Sequence, residues 1–127
     1  MQNMMTIVMV SDMDRSVGFY RDTLGLKMRF QSPDWSEFDM GSTTLALHGG
    51  GKVQPPAAGK EQFAGTASIG FTVDNVDNTF NDLKGKGVKF VMNPTERQGE
   101  GIRLTVAIDP DGLGVSFAQV VQRGEPR

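Results

Sequence analysis

MTIVMVSDMDRSVGFYRDTLGLKM, from Met5 to Met28, decides the fold because its periodicity changes part-way along. Its first six residues alternate as a β-strand does, and the alternation stops at Asp12. Apolar residues then recur at helical spacing, and the Asp12 carboxylate is placed to cap the first free N–H groups. Gly25 predicts the end of this helix, and a strand follows it. The stretch therefore predicts the order β-α-β.

The second half of the chain repeats this pattern. Two more predicted strands, Trp35–Met40 and Thr43–His48, complete a β-α-β-β-β order in the first half. SIGFTVDNVDNTFNDLKGKGVKF, residues 68–90, again places a strand before a helix, with Asn75 as its cap and Gly87 as its end. The alternative is chance similarity between two amphipathic helices. We interpret the chain as one α+β domain with two βαβββ modules, at about residues 4–48 and 67–120, joined by a linker at about 49–66.

Length, charge and cysteine content limit the classes of function. The 127 residues suffice for one domain, which we expect to cover residues 1–127. The net charge is −2, and the sequence contains no run of like-charged residues. We therefore expect no nucleic-acid partner and a neutral ligand rather than a strongly charged one. The absence of cysteine excludes disulfides and thiolate chemistry. No apolar stretch approaches the length of a membrane span, so we expect no membrane partner and a cytoplasmic protein.

Each predicted module has one helix for four strands, so the helix covers only one face of its sheet. We call the opposite face the open face. With Val8, Val10, Phe71 and Val73 facing the helices, alternation also assigns Leu104, Val106, Ile108, Val115 and Phe117 to the covered faces. The residues predicted on the open faces are Met5, Ile7, Met9, Trp35, Glu37, Asp39, Ala46, His48, Ser68, Gly70, Thr72, Arg103, Thr105, Ala107 and Ser116.

The paired units resemble a known family. The helix entries VSDMDRSVGFYRDTLGLK and VDNVDNTFNDLKGKGVK, together with the turn DPDG at residues 109–112, are similar to the vicinal oxygen chelate superfamily. This group includes glyoxalase I, bleomycin-resistance and fosfomycin-resistance proteins and extradiol dioxygenases. The resemblance extends from about Met4 to Gln119 and implies a curled, cup-like, eight-stranded mixed sheet with a glyoxalase-like fold. It indicates fold more specifically than function.

The resemblance also implies where a metal ion would be held. Metal-using members take His or Gln near the start of the first strand of a unit and Glu from the strand after the closing turn. The corresponding positions here are Met5, Ala46, Ser68 and Ser116. Thioether, methyl and neutral hydroxyl groups do not provide the donors that such a divalent ion requires. We therefore expect no metal and no other cofactor, with one divalent ion at a relocated site as the alternative.

Three polar or aromatic residues on the predicted open face have alternative roles. His48, the only histidine, is a candidate acid/base or ligand-bonding group, a metal ligand with Glu37 or Asp39, or a solvated residue at a strand end. Arg103 is placed to clamp a carboxylate or phosphate of a ligand or to pair with Glu37 or Asp39. Trp35 is able to stack on a planar ligand or to pack at an interface.

We state two main hypotheses for function. The first is a metal-independent protein that binds a small neutral or weakly acidic organic compound in the sheet cup or a dimer groove, lined by Met5, Ile7, Trp35, Glu37, His48, Ser68, Arg103 and Ser116. The second is a lyase or isomerase of the same fold that uses His48 and Glu37 as acid and base, or a relocated divalent metal. A weaker alternative is a vestigial pocket with a functional dimer surface. Free sheet edges, and the pairing common in relatives of this length, predict a homodimer.

Overall fold

Each half of the chain forms its own four-stranded sheet in the computed structural model, which describes residues 3–53, 64, 66–97 and 99–121. The chain divides into two units, unit 1 (Met1–Glu61) and unit 2 (Gln62–Arg127). The predicted α+β class and the βαβββ order of both modules are confirmed.

Unit 1 has a mixed sheet with the strand order β1-β4-β3-β2. β1 pairs parallel with β4, and the other pairs are antiparallel. Its elements are β1 (Met5–Met9), α1 (Met13–Val17), β2 (Lys27–Gln31), β3 (Trp35–Asp39) and β4 (Thr44–His48), with a π-helical segment (Gly18–Thr23) directly after α1.

Unit 2 repeats this topology with the strand order β5-β8-β7-β6. β5 pairs parallel with β8, and the remaining pairs are antiparallel. Its elements are β5 (Ile69–Thr72), α2 (Val76–Gly85), β6 (Lys89–Arg97), β7 (Ile102–Ile108) and β8 (Gly114–Val120).

The helices begin and end where the sequence predicts. Asp12 accepts a hydrogen bond from the Arg15 amide at 3.1 Å, and Asn75 accepts one from the Asn78 amide at 3.0 Å. Gly25 and Gly87, just beyond the helices, have positive φ values of 79° and 88°, which glycine adopts without steric cost. None of the helices in the described part of the chain is long and apolar enough to cross a bilayer.

The helix of each unit packs on one face of its sheet. In unit 1, Val10, Val17, Tyr20, Phe38 and Leu47 are at most 1 % exposed and form the core. In unit 2 the helix contributes Val76 and Leu83, and the sheet contributes Val115 and Phe117. The predicted facing of β1 and β8 toward the helices is therefore confirmed, and both sheets have an open face.

The predicted facing of β7 is wrong. In the β7–β8 pairing, Ala107 lies opposite Val115 and Thr105 lies opposite Phe117, and cross-strand partners share a face. Thr105 and Ala107 are fully buried on the helix side. Leu104, Val106 and Ile108 therefore lie on the open face of unit 2, although their hydrophobicity indicated the covered face.

Candidate functional site

Five of the predicted site residues lie on the open face of unit 1. Their strands are held in register by the pairs Met9–His48 and Trp35–His48 in one row and Ile7–Ala46 and Glu37–Ala46 in the next, with Met5–Thr44 and Asp39–Thr44 in the third. Partners in neighbouring strands project from the same face of the sheet. Met5, Ile7, Trp35, Glu37 and His48 therefore share one surface, as alternation predicted.

A strip of exposed apolar side chains runs along β1 on this face. Met5, Ile7 and Met9 are 42 %, 53 % and 54 % exposed, and we call them the β1 strip. Ala46, beside Ile7 on β4, is fully buried, so it contributes packing rather than accessible surface. Exposed apolar side chains that are contiguous are typical of surfaces that bind something.

A hydrogen-bonded cluster of Trp35, Glu37 and Arg29 lies on the same face. Trp35 Nε1 donates to Glu37 Oε2 at 2.7 Å, and Arg29 donates to Glu37 Oε1 through Nε at 3.1 Å and Nη2 at 3.0 Å. Arg29 Nη2 also donates to Thr44 Oγ1. Each of these side chains is thereby held in one orientation. We call the three residues the Trp35 cluster.

Arg29 was not among the predicted site residues. The pairing of β2 with β3 shifts between Met28 and Phe30, which is the mark of a β-bulge. Because a bulge adds a residue to one strand, simple alternation does not give the facing of Arg29. The only sequence signal was an arginine on the strand next to an acidic one.

The hydrogen bonds around Glu37 favour its charged form. The bond from Trp35, followed by the bonds from Arg29, lowers the pKa of Glu37 below its ordinary value. With three donors on its two oxygens, the carboxylate is a weak proton acceptor. This arrangement suits Glu37 to hold neighbouring side chains and makes it a poor general base at neutral pH.

The lowered pKa of Glu37 predicts a specific pH dependence of stability. Because folding favours the ionised form, its stabilising contribution is present above the pKa of unfolded Glu and is lost as pH falls through the lowered folded value. We expect the urea midpoint of the wild type to fall more steeply than that of Glu37→Gln between about pH 5 and 3. Equal slopes in the two proteins would show that the Trp35 cluster does not stabilise the carboxylate.

His48 is exposed and lies at the end of β4 beside Trp35. Its ring meets the Trp35 ring edge-on, with centroids 6.0 Å apart. His48 Nδ1 lies 2.7 Å from the Gly49 carbonyl oxygen, and since a carbonyl only accepts, Nδ1 carries the proton in this hydrogen bond. Nε2 has no described partner, so this ring nitrogen is left for a hydrogen bond with a ligand.

The remaining predicted site residues belong to unit 2. Ser116 pairs with Gly70 on the open face, and its hydroxyl lies 3.4 Å from the Ile69 carbonyl oxygen. Ser68 precedes β5 and is exposed. A Cβ placed on Gly70 would lie 2.9 Å from Ser116 Oγ, so the glycine makes room for the serine. These two serines are small polar groups on their own unit.

Arg103 faces the helix of unit 2, and the facing predicted for it is wrong. Its guanidinium forms two hydrogen bonds to the Asp77 carboxylate, with Nε to Oδ2 at 2.8 Å and Nη2 to Oδ1 at 2.9 Å. Asp77 lies in the first turn of α2, so the partner is neither Glu37 nor Asp39. The physical reason is the register of β7 with β8, which places Arg103 opposite Gln119 on the helix side.

The ion pair of Arg103 with Asp77 predicts a structural role without a binding role. We expect Arg103→Gln to lower the thermal unfolding midpoint only slightly, since a partly exposed ion pair contributes little to stability, and to change the affinity for an organic probe by less than about two-fold. Differential scanning fluorimetry and a probe titration measure the two effects. A large loss of affinity with an unchanged midpoint would return Arg103 to the site.

The chain matches the family model of the Glyoxalase/Bleomycin resistance protein/Dioxygenase superfamily over residues 3–117. It belongs to this superfamily. The match covers most of both units. A crystal structure of a glyoxalase/dioxygenase from Nostoc punctiforme superposes with a TM-score of 0.75 at 20 % identity, covering 93 % of this chain and 90 % of that one. This likeness confirms the glyoxalase-like fold.

Relatives in the superfamily have different names. The Bacillus subtilis protein YraH is 32 % identical over 112 residues, which cover 82 % of this chain and 87 % of YraH. A probable lactoylglutathione lyase from Synechocystis is 27 % identical, covering 90 % of this chain and 92 % of the lyase. A bleomycin resistance protein from Geobacillus stearothermophilus is 26 % identical, covering 89 % and 92 %. Membership therefore does not decide between catalysis and binding.

The family positions for a metal do not fit a divalent ion in this chain. Met5 offers a thioether, Ala46 offers no donor and is fully buried, and the two serines are neutral hydroxyls. Among the described residues, no three His, Asp or Glu side chains are grouped to hold a metal. At the relocated site considered for His48, Glu37 is bonded within the Trp35 cluster, and Asp39 lies opposite Thr44, four residues along β4 from His48.

Proposed function

We propose that this protein binds a small, largely apolar organic compound on the open face of unit 1, without a metal ion. The observation that carries the proposal is the exposed β1 strip beside the preorganised Trp35 cluster. Binding sites for small molecules combine apolar surface with a few polar groups of fixed orientation. Both components are present on one face of one sheet.

The size of the β1 strip suits a small aromatic or drug-sized compound. Side chains on one face of a strand recur about every 6.8 Å, so the strip is about 13 Å long from Met5 to Met9. Two of its three side chains are methionines, whose flexible thioethers adapt to ligands of different shape. The strip therefore favours a ligand recognised by its apolar surface.

The Trp35 ring supports a planar ligand. Its indole nitrogen is bonded to Glu37 and its ring lies perpendicular to the His48 ring, with centroids 6.0 Å apart, so little side-chain entropy is lost when a ligand contacts it. Aromatic rings pair in stacked or edge-on arrangements that contribute beyond the area they bury. We propose that the ligand contains an aromatic ring that contacts Trp35.

Binding is preferred to a lyase or isomerase reaction on two grounds. The Glu37 carboxylate is stabilised as an ion, so it is not suited to take a proton from a substrate. The positions that hold the catalytic ion in metal-using members lack suitable donors here. The names of two relatives, one a probable lyase and one a resistance protein, are compatible with either activity. The preference for binding therefore rests on the side chains of this chain.

A fluorescence titration tests this proposal. Trp35 is the only tryptophan, so it is a unique energy donor. With N-phenyl-1-naphthylamine as a neutral aromatic probe, we expect saturable quenching of Trp35 and matching sensitised emission from the probe. Absence of saturable binding by this probe, in protein shown to be folded by circular dichroism, would overturn the proposal.

We also propose that the protein is a homodimer. β1 and β2 form the edges of the unit 1 sheet, and exposed strand edges favour pairing with another chain. Light scattering coupled to size-exclusion chromatography should give the mass of two chains, and the mass of one chain at all concentrations would contradict the proposal.

A further inference from the structure

We infer that Arg29 selects ligands that carry an anionic group, such as an aromatic carboxylate or sulfonate. This inference rests on the proposed function and identifies the class of ligand. It assigns to Arg29 the clamping role that the sequence analysis considered for Arg103. The basis is the position of the Arg29 guanidinium and its unused donors.

The Arg29 side chain extends across the open face toward the β1 strip. Arg29 starts from β2, at the edge of the sheet, and reaches Thr44 on β4. Thr44 is the direct partner of Met5 on β1, and adjacent strands are about 4.8 Å apart. The guanidinium therefore lies within one strand spacing of the β1 strip, where a ligand on that strip would meet it.

Part of the guanidinium has no protein partner among the described residues. A guanidinium has five N–H donors, and Nε and Nη2 provide three of them to Glu37 and Thr44. The two N–H groups of Nη1 have no described acceptor, and the side chain is 45 % exposed. A carboxylate or sulfonate oxygen is able to accept from either of them.

Glu37 fixes the Arg29 side chain for this role. Its Oε1 holds two guanidinium nitrogens, and Trp35 holds its Oε2, so the carboxylate cannot rotate without breaking a bond to Trp35. Preorganisation of this kind reduces the entropy lost when a ligand binds. Trp35, Glu37 and Arg29 thus place an aromatic surface and a cation at fixed positions.

A second cation on this face, Lys27, is less suited to contact an anionic ligand. Lys27 is the partner of Asp39 at the β2 edge, and its side chain is 80 % exposed. Its ammonium lies 3.9 Å from the Asp39 carboxylate on β3, whereas the Arg29 guanidinium reaches Thr44 on β4. Arg29 is therefore the cation placed to contact a ligand on the β1 strip.

Two probes that differ by one sulfonate test the inference. The neutral probe is N-phenyl-1-naphthylamine, and the anionic probe is 8-anilinonaphthalene-1-sulfonate. We expect the wild type to bind the anionic probe about ten-fold more tightly, because a charge-assisted hydrogen bond adds to the shared apolar contacts. Arg29→Gln should lower the affinity for the anionic probe by about ten-fold and the affinity for the neutral probe by less than about two-fold.

Three further variants separate direct contact from other effects. Arg21→Gln removes one cation from the helical part of unit 1, where Arg21 pairs with Asp22, and should leave both affinities unchanged. Arg29→Lys keeps the charge but lacks the forked set of N–H donors, so its affinity for the anionic probe should lie between those of the wild type and Arg29→Gln. It also tests the inference if Arg29→Gln does not fold. The double variant Arg29→Gln with Glu37→Gln removes both charges of the ion pair, and its affinity for the anionic probe should remain low.

The possible outcomes are distinguishable. Binding of both probes with equal affinity, unchanged by Arg29→Gln, would overturn the inference and leave the proposed function standing. Recovery of anionic-probe affinity in the double variant would assign the effect to the unpaired Glu37 charge and would also overturn it. Failure of the neutral probe to bind would overturn the proposed function, and this inference, which rests on it, would fall with it whatever the anionic probe does.

Discussion

Phe38→Ala should lower the free energy of unfolding by about 3–5 kcal/mol, the range measured when buried aromatic residues are truncated to alanine. Phe38 is fully buried in the centre of β3, and its ring centroid lies 6.1 Å from that of Tyr20 in the π-helical segment. Removing the ring leaves a cavity between the helix and the sheet, and it also removes an aromatic pair. Urea unfolding followed by circular dichroism measures the change.

A nearby phenylalanine provides the matched control for this prediction. Phe30, on the adjacent strand β2, is 52 % exposed. Because its ring is already in contact with solvent, Phe30→Ala should cost less than about 1 kcal/mol. Similar losses for both variants would mean that the helix of unit 1 does not pack on the β3 face that contains Phe38.

Ile7→Asp should weaken binding of the neutral probe by at least about ten-fold, since a ligand on the β1 strip would have to desolvate the carboxylate. Ile7 is at the centre of the strip and 53 % exposed, so an aspartate there remains solvated in the free protein. The cost to stability should be within about 1 kcal/mol, the span of β-propensity. The Trp35 energy-transfer titration measures the affinity, and urea unfolding measures stability.

Val91→Asp is the control for this binding prediction. Val91 is an apolar residue on β6 of unit 2 and is 64 % exposed, so the same change of apolar to acidic is made on the other unit. Its affinity for the neutral probe should stay within about two-fold of the wild type. Equal losses in Ile7→Asp and Val91→Asp would show that net charge, and not the strip, determines binding.

Local sequence signals predicted most of the fold. Asp12 and Asn75 cap their helices, and Gly25 and Gly87 end them, because capping and positive φ depend on neighbouring residues. The order of helices and strands along each unit agrees with the predicted βαβββ repeat. The π-helical turn was not predicted; in it the Leu24 amide donates to the Phe19 carbonyl, five residues back.

The facing of β7 was predicted incorrectly from the hydrophobicity of its residues. The facing is determined by the register of β7 with β8. β7 has apolar residues on both faces, so composition alone favoured the larger ones as core. The DPDG turn contained the missing information, because the Asp109 amide donates to the Leu113 carbonyl and so pairs residue 108 with 114. Counting back from that turn places Thr105 opposite Phe117 and Arg103 opposite Gln119.

The residues of the strands that share the site's face could be predicted, but the hydrogen bonds between their side chains could not. Alternation placed Ile7, Trp35 and His48 on one face, because β1, β3 and β4 pair without irregularity. The bulge in β2 concealed Arg29, and no periodicity reveals that Trp35 and Arg29 share Glu37 as their acceptor. Such contacts depend on side-chain rotamers, which sequence spacing does not specify.

The location of a bound ligand is measured most directly by intermolecular nuclear Overhauser effects between the neutral probe and methyl-labelled protein. We predict cross-peaks from the aromatic protons of N-phenyl-1-naphthylamine to the δ-methyl group of Ile7 and the ε-methyl groups of Met5 and Met9, which form the exposed strip on β1. Cross-peaks confined to Leu104, Val106 and Ile108 on the open face of unit 2, with none to the β1 strip, would contradict the proposed site.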